Sequence, residues 1–184
     1  MQFIENIKDY FGLHLLKNKL SKNKDRKVRF CNLNNAKKVG LLYNIDDERD
    51  SHKLLRFIKT LKEDFGIRNV QAISYFQDKN SPSFLEGNNS VQYFITSDLS
   101  WRREPKNDVC IEFMKQEFDL LIDLSNEFVI PLKSVLLDSK AKFKVGKYSK
   151  ENEAYFDFMI NSKHIDFYEF TQELVRYLTM INEK

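Results

Sequence analysis

Apolar residues recur at three- and four-residue steps from the first positions of the chain. Phe3, Ile4, Ile7, Tyr10, Phe11, His14 and Leu15 form one stripe of a helix over about residues 2–20. The pattern then changes. Residues 21–29 (SKNKDRKVR) read as a solvated basic linker, and 38–43 (KVGLLY) as a strand buried on both faces, since its apolar run is continuous. Helical spacing returns with Leu54, Leu55, Ile58, Leu61 and Phe65, preceded by the capping candidates Asp46 and Asp47 and stopped by Gly66.

Further strands are expected over 70–76, 91–96, 118–124, 141–145 and 154–160. Loops are expected over 77–90 and 97–108, where Asn, Ser, Gly, Pro and charged residues gather. Helices fall at 109–116, after Pro131, and after the cap Asp166, with Phe167, Phe170, Leu174, Tyr177, Leu178 and Ile181 inward. Alternating strands and helices imply parallel strands joined by right-handed crossovers. The expectation is an α/β fold: a single three-layer sandwich, Rossmann-like, with a mostly parallel sheet of five or six strands and an N-terminal amphipathic helix. Residues 1–36 would be leader and linker, and 37–184 the α/β domain.

Charge sharpens this division. The first forty residues carry ten Lys/Arg and three Asp/Glu, a net of +7, whereas the remaining 144 carry −4. A concentrated basic segment seeks an acidic surface. Sixteen Phe and eight Tyr supply ample core, which argues against general disorder. No apolar run reaches the ~18 residues of a membrane span, and charges interrupt the first twenty residues where a signal peptide would be apolar. The expected location is therefore cytoplasmic, either free or peripheral to a membrane. Cys31 and Cys110 lack a CxxC spacing, and His14, His52 and His164 lie far apart, so neither a disulfide framework nor a metal site is expected.

In parallel sheets ligands bind beyond the carboxyl ends of strands. That rule selects Asp46, Asp98, Trp101, Arg102, Arg103, Asp123 and Ser125 as candidate ligand-binding residues. An indole followed by two guanidiniums could stack on a base and hold a phosphate, or anchor a protein. The bland alternative is a Trp folded back on the sheet edge. Asp46, Asp98 and Asp123 could converge on Mg²⁺, yet Asp46 suits a cap and Asp98 a turn. Asp123 is different, because burial inside LLIDLS requires a partner. Ser125 has no GxSxG elbow, and neither GxGxxG nor a P-loop occurs, so no catalytic residue, cofactor or metal is assigned.

The leader allows several readings. Phe3, Ile7 and Phe11, with Lys17, Lys19, Lys22, Lys24 and Arg26, could engage a protein, an anionic membrane or RNA. The stripe could equally dock on its own domain. Lys140, Lys142, Lys144 and Lys147 alternate along a predicted strand, a pattern that guards exposed sheet edges.

Lys38-Val39-Gly40-Leu41-Leu42-Tyr43 after a basic leader helix resembles an uncharacterised family of small Bacteroidota-type α/β proteins, a likeness that implies fold but no activity. Phe118 to Gly146 (FDLLIDLSNEFVIPLKSVLLDSKAKFKVG) is similar to the N-terminal half of lipopolysaccharide heptosyltransferases. Those enzymes work in a cleft between two domains and a single domain is expected here, so this likeness implies fold alone. The resulting expectation is a non-enzymatic binding module that docks on an acidic surface through its basic helix, most simply on a protein. The alternative is a small enzyme or a phosphate-ligand domain using the strand-end crevice.

Overall fold

The computed structural model describes residues 2–23, 26–78, 80, 83–85, 91–162 and 166–181. Lys24, His164 and most of the 77–90 loop lie outside the described residues. Within them the apolar runs become six strands: β1 (Lys38–Ile45), β2 (Asn69–Phe76), β3 (Val91–Ile95), β4 (Leu120–Asp123), β5 (Phe143–Lys147) and β6 (Phe158–Ile160). All five pairings are parallel, in the order β3-β2-β1-β4-β5-β6. Strand order therefore reverses between β1 and β4.

Among the described residues five α-helices surround the sheet: α1 (Gln2–Lys22), α2 (Glu48–Glu63), α3 (Asp108–Lys115), α4 (Ile130–Asp138) and α5 (Phe167–Met180). The helices α2 and α5 cover one face, where Leu54, Leu61, Phe170 and Leu174 meet Val39, Leu41, Leu120 and Val145. On the other face α3 and α4 bring Phe113, Leu132 and Leu136 against Leu42, Ile73 and Leu121. The three layers agree with the sequence expectation, and the sheet is parallel throughout. Caps also fall where expected: the Asp47 carboxylate accepts from the Asp50 N–H (3.1 Å), and Asp166 accepts from the N–H groups of Tyr168 and Glu169.

Two expectations change. The sixth strand begins only at Phe158, because residues 149–155 turn instead, with the Asn152 amide donating to the Lys147 carbonyl (2.9 Å). This turn lays the Phe156 ring over Gly146, where an added Cβ would lie 2.4 Å from the ring. Gly146→Ala therefore overpacks that contact and is expected to cost about 1–3 kcal/mol. Adding Phe156→Leu should restore part of the loss in a urea unfolding series.

The second change concerns the lysine stripe. β5 lies between β4 and β6, so it is not an edge. Lys144 is buried, and its ammonium donates to the carbonyls of Leu136 (2.5 Å) and Leu137 (3.4 Å) at the end of α4. Burial, then the Arg26 charge, lowers its pKa to about 8. An unfolded lysine titrates near ~10.4. Between these values the folded chain binds fewer protons, so Lys144 makes the protein more stable as pH rises from 8 to 10.5. The full effect is about 3 kcal/mol. The Cys110 thiol, pushed up by burial and then by the Asp98 charge, opposes this trend above pH ~8.5. Comparison with Lys144→Met isolates the lysine: the stability difference should be flat below pH 7 and shift toward wild type by that amount across the window.

Candidate functional site: the outward face of the N-terminal helix

α1 packs on α4, but through its polar side. Glu5, Asp9, Gly12, Leu16, Lys19 and Asn23 recur at three- and four-residue steps and face inward. Leu16 is fully buried. Gly12 lets the backbones approach, since a Cβ there would lie 2.9 Å from Ile130 Cγ2 and 3.2 Å from the Arg102 carbonyl oxygen. Arg103 donates to Asp9 (2.7 Å) and Glu5 (2.5 Å). Hydrogen bonds from Lys8 and Arg103 hold the Glu5 carboxyl below its usual range. Lys19 bridges Glu104 (2.6 Å) and Asp138 (2.5 Å), and donates to the Ser134 hydroxyl (2.8 Å). The Asn23 amide donates to the Leu137 carbonyl (2.7 Å). Beyond the helix, Arg26 pairs with Asp157 and donates to the carbonyls of Ala141 and Lys142.

The apolar stripe consequently points away from the protein. Phe3 is 75% exposed, Ile4 58% and Tyr10 68%, with Ile7 and Phe11 partly open beside them. Trp101, 53% exposed, extends the stripe from the 97–107 loop. Its ring meets Phe11 edge-on at 4.9 Å, and the Arg102 guanidinium stacks on it at 4.6 Å. Arg103 takes a positive φ of 62°, which turns this loop so that its own side chain faces α1. Lys17 and Lys22 are exposed farther along the helix, and Lys27 and Arg29 on the segment that follows. Thus Phe3, Ile7, Phe11, Lys17 and Lys22 face out, whereas Lys19 and Arg26 are committed to internal ion pairs.

The remaining candidates lie elsewhere. At the ends of β1 and β4, the Asn44 amide donates to Asp46 (2.9 Å), the Asn44 N–H to the Ser125 hydroxyl (3.1 Å), and the Ser125 N–H to Asp123 (2.9 Å). Burial, then the Asp50 charge, raises the Asp46 pKa. Asp123 and Lys133 form a buried ion pair at 2.7 Å, with the ammonium 4.5 Å from the centre of the Phe156 ring. Lys133 was not foreseen; its signal was one lysine inside the apolar run IPLKSVLL. Asp98 accepts from the Ile95 N–H (2.9 Å) and closes its own loop. Among the described residues, no three His, Cys, Asp or Glu side chains converge to hold a metal ion.

A protein-family description matches residues 8–181. The chain belongs to DUF6913, a family of unknown function. Comparison of this DUF6913 protein with curated proteins and with solved structures finds no match in either. The family match spans most of α1, the Trp101 loop and the whole sheet. Among the described residues of the DUF6913 protein, no helix is long and apolar enough to cross a membrane.

Proposed function

We propose that this protein is a cytoplasmic, non-enzymatic binding module that rests on an anionic membrane surface through α1. One observation carries the reading: the helix is fastened by charged residues, Gly12 and Leu16, and leaves its wider apolar, aromatic side in water. Leaving such a stripe exposed forfeits about 1.5–3 kcal/mol for each large side chain that could be buried. Phe3, Ile4, Ile7, Tyr10 and Trp101 suit the boundary of acyl chains and headgroups, and Lys17, Lys22 and Arg102 suit anionic headgroups beside them. A second copy of the chain would bring this basic rim against its like. Single-stranded RNA would use the aromatic rings and cations but has less use for Ile4 and Ile7.

The alternative is a Rossmann-like domain that binds a phosphate-containing ligand, or acts on one, at the strand ends. It has weaker support, because Arg103 is engaged with α1 and Asp123 with Lys133.

Vesicle flotation tests the proposal. The full chain should rise with phosphatidylserine-containing vesicles, and much less with phosphatidylcholine alone. High salt should weaken the association, since exposed charges are screened. Equal flotation with both lipids would remove the electrostatic part, and no flotation with either would overturn the reading.

A further inference from the structure

On the sheet face opposite α1, the helices α2 and α5 leave a groove of about 630 Å³ between them. Small-molecule sites commonly occupy roughly 300–1,000 Å³. The lining runs from Arg49 to Asp64 along α2, about 22 Å at the rise of a helix, so the groove is elongated. Its floor is apolar: Phe57 and Phe167 are buried there, and Phe65 and Val175 are half-buried. Its rim is cationic, with Arg49, Lys53 and Arg56 from α2 and Arg176 from α5. Asp64 is the single acid among the described lining residues.

The rim cations are not equivalent. Arg49 pairs with Asp47 (2.6 Å) and Lys53 with Asp50 (2.8 Å). Arg56 and Arg176 are exposed and make no ion pair among the described residues. They border the same apolar trough from opposite helices. A guanidinium donates two parallel N–H bonds to carboxylate or phosphate oxygens, and both arginines remain available for that contact.

We infer that this groove binds a single-chain anionic amphiphile, a carboxylate or phosphate monoester on an aliphatic chain. The chain lies on Phe57, Phe167 and Val175, and the head is held by Arg56 and Arg176. The inference is independent of α1, which packs on the other side of the sheet.

Calorimetric titration of the full chain with decanoate, decyl phosphate and decanol, each below its micelle concentration, tests it. At least one of the two anions should bind with one-to-one stoichiometry and at least tenfold more tightly than decanol. The double variant Arg56→Glu/Arg176→Glu alters only exposed positions and should remove that preference. Val175→Trp fills the floor and should abolish binding of every ligand, and circular dichroism checks that each variant is folded. Equal affinity for decanol and the anions, undiminished binding by folded Val175→Trp, or no binding of either anion would overturn the inference.

Discussion

Asp123→Ala is expected to lower stability by about 3–5 kcal/mol, the usual cost of leaving one partner of a buried ion pair without the other. The surroundings of the pair explain the size of this effect. Asp123 and Lys133 are each only 1% exposed, and the carboxylate bridges the ammonium on α4 and the Ser125 N–H after β4. Without it, the Lys133 ammonium keeps, among the described residues, the faces of Phe128 and Phe156. Since a domain's total stability is about 5–15 kcal/mol, the urea midpoint should fall by roughly 2 M. Asp123→Leu/Lys133→Met removes both charges and should recover most of the loss. The double-mutant cycle then gives the coupling directly. A cost below about 1 kcal/mol for Asp123→Ala would mean that the pair is open to water.

Phe3→Glu/Ile7→Glu/Tyr10→Glu should abolish vesicle association while leaving folding intact. All three side chains point outward, and exposed substitutions of this kind usually change stability by less than ~0.5 kcal/mol each. Their transfer into the headgroup boundary is a different matter. Losing even part of ~1.5–3 kcal/mol per side chain, and adding three negative charges, predicts a fall in partitioning of about 100-fold or more. Gly12→Leu acts from the other side of the same helix. It should force α1 away from Ile130 and the Arg102 backbone, and so lower stability instead of selectively lowering lipid affinity.

The contrast between those two faces marks where the sequence was legible. Short apolar runs bounded by polar turns, such as KVGLLY and LLID, fit strands buried on both sides, so the parallel sheet could be read directly, whereas the similar run IPLKSVLL forms the helix α4. The caps Asp47 and Asp166 could also be read, because the chemistry is local. Periodicity located the stripe of α1 but not its direction. That direction depends on Arg103 meeting Asp9 and Glu5 across 94 and 98 positions, and on Gly12 meeting Ile130. The same limit applied to Asp123: its need for a partner followed from burial, but the partner's position on α4 required the crossover geometry. Lys144 shows the reverse error. Its alternating pattern is that of an edge strand, yet its amine caps carbonyls at the end of α4, deep inside the fold.

Trp101 is the one tryptophan of the chain and sits at the end of the exposed stripe against Phe11. Its fluorescence therefore reports the central claim without any label. On addition of phosphatidylserine vesicles the emission should shift to the blue and be quenched by lipids brominated on their acyl chains, and neither change should occur with the Phe3→Glu/Ile7→Glu/Tyr10→Glu variant. Emission that stays unshifted and unquenched while the wild-type chain is exposed to saturating anionic vesicles would contradict the account.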